Sequence, residues 1–175
     1  MNVVLGDRSR FAVEVGGPTA QLRRVDLWMA GKWLTRDDHT VFVPQFRSDV
    51  LDTATRLRSG GGSPLPFDGL SPVAAHRRLM LRAENDDETD ADYELRSRFQ
   101  ALHWGPTTDN VTTHLFRDED CLVITWEFWR EKHLLAHPEH AGQVFMVEMS
   151  THEFVMILEN LVALLDGAPG APYGP

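Results

Sequence analysis

The chain is poor in the residues that would reveal most about it. It has a single cysteine, Cys121, so no intramolecular disulfide can form and a cysteine-based zinc site is excluded. In an apolar strand such a residue is expected to act as a small buried hydrophobe. Lysine stands only at positions 32 and 132. No apolar run approaches the roughly 18 residues of a membrane span. The N-terminus, MNVVLGDRSR, lacks a basic segment followed by a long apolar one, so no export signal is expected and the expected compartment is the cytoplasm. Also missing are a GxSxG elbow, a GxxxxGK[ST] phosphate loop and a strand-linked GxGxxG. Residues 59–63, Ser-Gly-Gly-Gly-Ser, follow a helical pattern and carry no lysine.

What is present is a globular balance, with 42% apolar and 25% charged residues in 175. The formal charge of −9 repels nucleic acid and anionic membranes and attracts a basic partner.

Hydrophobic periodicity gives the expected elements. Phe11, Val13 and Val15 alternate with polar or small neighbours, as do Val25, Leu27 and Met29, and both stretches read as strands. Residues 30–32 form a tight turn, and a short strand covers 40–43. Pro44 opens a helix whose apolar face is Phe46, Val50, Leu51, Ala54 and Leu57. Ser71-Pro72 starts another helix over 72–82, with a strand over 77–83 as the alternative. A helix over 92–103 is expected to bury Leu95, Phe99 and Leu102. Residues 110–117 and 121–130 read as a hairpin, with Leu122, Ile124, Trp126 and Phe128 on one face. A strand over 144–149 leads into a helix opened by a capping box between Ser150 and Glu153 and ended by Gly167. Short turns between strands predict an α+β domain over 1–167, a mainly antiparallel sheet with helices packed on one face. Residues 168–175 read as a flexible tail.

Three groups are candidate sites. The acidic run at 84–92 contains Asp86, Asp87, Glu88 and Asp90. An EF-hand loop needs glycine at its sixth position, and counted from Asp86 that position is Ala91. The run therefore reads as a solvated loop or helix N-terminus. The second group is His133, His137 and His140, candidate metal ligands by residue type. No HExxH motif is present, and Pro138 breaks the helix that an HxxxH pair requires, so a polar connection is the competing reading. Trp129 is the third. It lies on the strand face opposite Trp126, either as an exposed interface anchor or packed under a helix.

One resemblance lies in the N-terminal segment, within residues 1–40. Leu5-Gly-Asp-Arg-Ser-Arg-Phe-Ala-Val-Glu14, followed by Leu27-Trp-Met-Ala-Gly-Lys-Trp-Leu34, resembles the start of immunity protein family 42. Members of that family open with GD-x-S-x-FA-[IV]-E and continue with an aromatic strand ending in a W-[IM]-x-G turn. The V-x-x-x-x-x-EF spacing of Val147 and Glu153-Phe154 fits the same pattern, whereas residues 60–104 have no counterpart. The resemblance implies a bacterial protein that binds and neutralises a cognate toxin encoded beside it, without catalysis or cofactor. The expected partner is a basic toxin protein, with no nucleic acid or membrane involved and a homodimer left open. The expected contact residues are Asp37, Asp38, Asp86, Asp87, Glu88, Asp90 and Trp129. The alternative function is a small metal-binding protein or metal-dependent enzyme built on the histidines.

Overall fold

The computed structural model describes residues 2–19 and 21–167, so the tail expected over 168–175 lies outside the described residues. The strands divide between two antiparallel sheets. The first runs β1 (Val3–Gly6), β2 (Phe11–Thr19), β3 (Leu22–Met29) and β4 (Lys32–Trp33), with β5 (Thr40–Phe42) also paired to β3. The second is β6 (Val111–Asp118), β7 (Cys121–Phe128) and β8 (Val144–Ser150). Three helices lie between the sheets in sequence: α1 (Val43–Arg58), α2 (Pro72–Glu84) and α3 (Asp90–Phe99). α4 (Glu131–Ala136) links β7 to β8, and α5 (Thr151–Leu165) follows β8. The α+β class and the antiparallel pairing are as the turn lengths predict.

One main core joins both sheets. The inner face of the first supplies Phe11, Val13, Val25 and Leu27, and that of the second supplies Leu122, Ile124, Trp126 and Phe128. The stripes of α1 and α5 fill the space between them, with Phe154 edge-on to Phe11 at 4.8 Å. The outer face of the second sheet is covered as well, by α2, where Ala75 and Leu79 meet Phe116 and Phe99 in a smaller cluster.

Local chemistry sets the element ends. Ser71 caps α2 by accepting from the Ala74 N–H, which removes the strand alternative for 77–83. The 40–43 strand stops at Phe42 because the helix opened by Pro44 already includes Val43. α3 differs from expectation at both ends. A reciprocal capping box between Thr89 and Asp92 starts it at Asp90. It stops at Phe99 because the backbone then pairs with β6, through a bridge from Gln100 to His114 and a bond from Ala101 N–H to Thr113 O. Leu102 is therefore buried in the main core from a non-helical segment, at a left-handed φ of +56°, and not from a helical stripe. At α5 only half of the expected capping box forms. Ser150 accepts from the Glu153 N–H at 3.0 Å, but the Glu153 carboxylate takes Arg10 at 2.8 Å instead of turning back. Gly167 follows the helix with φ +79°, as a glycine after the C-cap does.

Candidate partner-binding surface and histidine cluster

The hairpin of β3 and β4 builds one wall of the site. Ala30 and Gly31, at φ 44° and 75°, make its tight turn and set Trp28 opposite Trp33. Their rings stack at 5.5 Å. The Trp33 indole N–H donates to Asp26 at 3.1 Å, and Arg24 donates to the other oxygen of the same nearly buried carboxylate at 2.7 Å.

The histidines build the other wall. Pro138 ends α4, as the sequence predicts, but the chain then makes a 3-10 turn over Pro138–His140 that folds His140 back onto the helix. The rings of His133 and His137 are 5.0 Å apart, and each is 5.2 Å from His140. His133 stacks on Phe128 at 3.9 Å. Its Nε2 is 2.9 Å from His140 Nδ1, and its Nδ1 is 3.5 Å from an Asp37 oxygen. Glu139 Oε1 is 3.3 Å from His137 Nδ1 and 3.7 Å from His140 Nε2. An Arg36 guanidinium nitrogen lies 2.5 Å from His137 Nε2. Burial comes first in holding His133 and His140 below the ordinary histidine pKa, so both stay neutral at pH 7. A cavity of about 290 Å³ opens between the two walls. Spacing in the sequence shows Pro138 as a break; that the break closes the cluster depends on the turn it starts.

The candidate contact residues separate. Asp37 is turned inward toward His133, with its side chain 13% exposed. Asp38 is half-buried and accepts from the Thr40 N–H. Glu88 is held in a bidentate pair with Arg96, which lowers its pKa first through that hydrogen bond. Asp86, Asp87 and Asp90 are exposed around the start of α3. Trp129 is 56% exposed, so the packed alternative is not the one adopted. Its N–H donates to Asn110 O, and the Asn110 side chain donates to Leu34 O, which ties the 34–39 loop to this end of the second sheet.

Comparison with known proteins gives one result. No protein-family model matches the chain, immunity protein family 42 gaining no support there, and no curated protein matches it in sequence. A solved structure does match: CdiI from Burkholderia dolosa AUO158, at TM-score 0.59 and 14% identity, over 93% of this chain and 99% of that one. The two share a fold.

Two further features lie outside the expectations. Cys121 is exposed at the start of β7 and not buried, because strand alternation turns it away from Leu122 and the core. Partial desolvation and then Glu148, 3.5 Å from its sulfur, raise the thiol pKa, which disfavours a nucleophilic thiolate. His76 of α2 and His114 of β6 meet in the interior, where no sequence motif announced a pair. Among the described residues, no helix is long and apolar enough to cross a membrane.

Proposed function

We propose that this chain is a bacterial immunity protein that binds and neutralises a cognate toxin domain without catalysis. The likeness to CdiI, an immunity protein of contact-dependent inhibition, carries the reading, because it extends over nearly the whole of both chains. The N-terminal resemblance to immunity protein family 42 points to the same class from different evidence. Inhibition of this kind needs a complementary surface and no reacting group.

The proposed surface joins Trp129 to the acids at the start of α3. Glu84, at the end of α2, is near enough to Glu127 of β7 to add to the effect of burial in raising its carboxyl pKa. A half-exposed tryptophan is a common anchor residue in interfaces, and exposed carboxylates speed association with a basic toxin. The cytoplasm is the compartment in which such a protein would meet an incoming toxin.

Co-expression tests the proposal. Cells producing the toxin domain encoded beside this gene should grow when the chain is present and stop when it is not. Arrested growth despite abundant folded protein would contradict it.

A further inference from the structure

We infer that His137, Glu139 and His140 form a site for a divalent transition-metal ion of the zinc class. This inference stands apart from the toxin reading. One donor atom from each residue lies within 4.8 Å of the others. Glu139 Oε1 sits 3.3 Å from His137 Nδ1 and 3.7 Å from His140 Nε2. In a tetrahedral site with bonds of about 2.0–2.1 Å, neighbouring donors are about 3.4 Å apart. Those two gaps already have the size of a tetrahedral edge, so small side-chain adjustments suffice to close the donors on an ion.

Proton placement prepares His140 as a ligand. The Asp37 carboxylate, 3.5 Å from His133 Nδ1, favours the His133 proton on that nitrogen. His133 Nε2 is then bare and accepts from His140 Nδ1–H across 2.9 Å. That leaves His140 Nε2, the atom facing Glu139, with a free lone pair. Asp37, His133 and His140 thus approach the carboxylate–histidine support that orients metal ligands, extended by one ring, with Asp37 acting through its charge at 3.5 Å and not through a hydrogen bond. His133 is itself fixed by its stack on Phe128. Two imidazoles and one carboxylate suit zinc, nickel or iron better than magnesium or calcium. The fourth coordination position faces the cavity, where water can fill it.

Arg36 is the internal competitor. Its nitrogen, 2.5 Å from His137 Nε2, requires that atom to accept. A His137 ligating through Nδ1 carries its proton on Nε2, so the guanidinium must swing out before the metal enters. Arg36 is exposed and free to do so.

The test uses the purified full-length chain stripped with a chelator and titrated with Co²⁺ by visible absorption, then with Zn²⁺ by calorimetry. A single equivalent should bind with the bands of four-coordinate cobalt. Glu139→Ala and His137→Ala should lose that spectrum and weaken affinity at least about ten-fold, and Asp37→Asn should weaken it about ten-fold through His133. Arg36→Ala should bind more tightly than the parent. Glu139 and His137 lie at the surface, and circular dichroism of each metal-free variant checks its fold. No stoichiometric uptake by the parent overturns the site, as does unchanged affinity in folded Glu139→Ala and His137→Ala. The assay contains no toxin, so its failure leaves the immunity proposal standing.

Discussion

His76 and His114 place their Nδ1 atoms 3.0 Å apart beneath α2, with ring centroids 4.4 Å apart and edge to face. Thr125 Oγ1 lies 2.9 Å from the same His76 nitrogen. If His76 carries its proton on Nε2, toward Glu127, its Nδ1 accepts from both His114 and Thr125. A proton on His76 Nδ1 removes that acceptor, and a charge on either ring is disfavoured by burial. Burial, and then Arg77, lowers the His76 pKa to about 4. Burial, and then His76, Arg96 and His103, lowers that of His114 to about 3. In the unfolded chain both titrate near 6.5. Below that pH the unfolded state takes up protons that the folded state refuses, so stability is complete above about pH 6.5 and falls toward pH 4 and then 3. The combined loss is on the order of a few kcal/mol. Urea unfolding at about pH 7 and about pH 5 should show a larger loss for the parent than for His76→Gln/His114→Gln. Equal losses would remove the pair as the cause.

Asp26 is a second buried polar anchor, and it reaches the candidate site. It is 2% exposed and accepts from both Arg24 and Trp33. Asp26→Leu leaves the Trp33 indole without its acceptor and should cost about 1–3 kcal/mol in chemical unfolding. Asp26→Asn keeps an oxygen for Trp33 and should cost less. Fluorescence of the stacked Trp28–Trp33 pair should shift in the first variant and remain closer to the parent in the second.

Gly6 explains part of the N-terminal pattern. It has φ +82°, and a Cβ there would lie 2.3 Å from Phe11 O and 2.8 Å from Ile157 of α5. Asp7 Oδ1 then accepts from the Ser9 N–H and hydroxyl, both at 2.7 Å, and Phe11 enters the core. The Gly-Asp-x-Ser-x-Phe spacing is thus a turn prescription. Gly6→Ala should destabilise by roughly 2 kcal/mol or more, since φ strain and the backbone clash add. A thermal unfolding midpoint equal to the parent's would argue against that reading.

Features written in local spacing were legible in the sequence. The alternation of β2, β3 and β7, the Ser71 cap of α2 and the stripe of α5 each depend on neighbours a few residues apart. The division into two sheets was not legible, because it depends on which strand edges meet after three helices intervene. The end of α3 was missed for a similar reason. Residues 100–102 are helix-compatible, yet pairing of Gln100 and Ala101 with β6 draws the chain out of the helix. At the site, residue types marked the histidines, but Asp37, Arg36 and Glu139 join them only through the 3-10 turn and the 34–39 loop. Solvent exposure decided Trp129, which alternation alone had left between two readings.

The proposed contact surface predicts separable effects on binding and folding. Trp129→Ala should leave the unfolding midpoint nearly unchanged and weaken toxin binding by about 2 kcal/mol, mainly through faster dissociation. Asp86→Lys/Asp87→Lys should slow association with a basic toxin, and the difference from the parent should shrink as salt is added. Stopped-flow fluorescence measures both rates. Unchanged rates in these variants would move the interface elsewhere.

The most direct measurement of the central claim is calorimetric titration of the purified chain with the purified toxin domain that the immunity reading expects to be encoded beside it. The immunity reading predicts a saturating equimolar complex with Kd of about 10⁻⁸ M or tighter and inactive toxin within it. No heat of binding at micromolar concentration, with the toxin fully active beside folded protein, would contradict it.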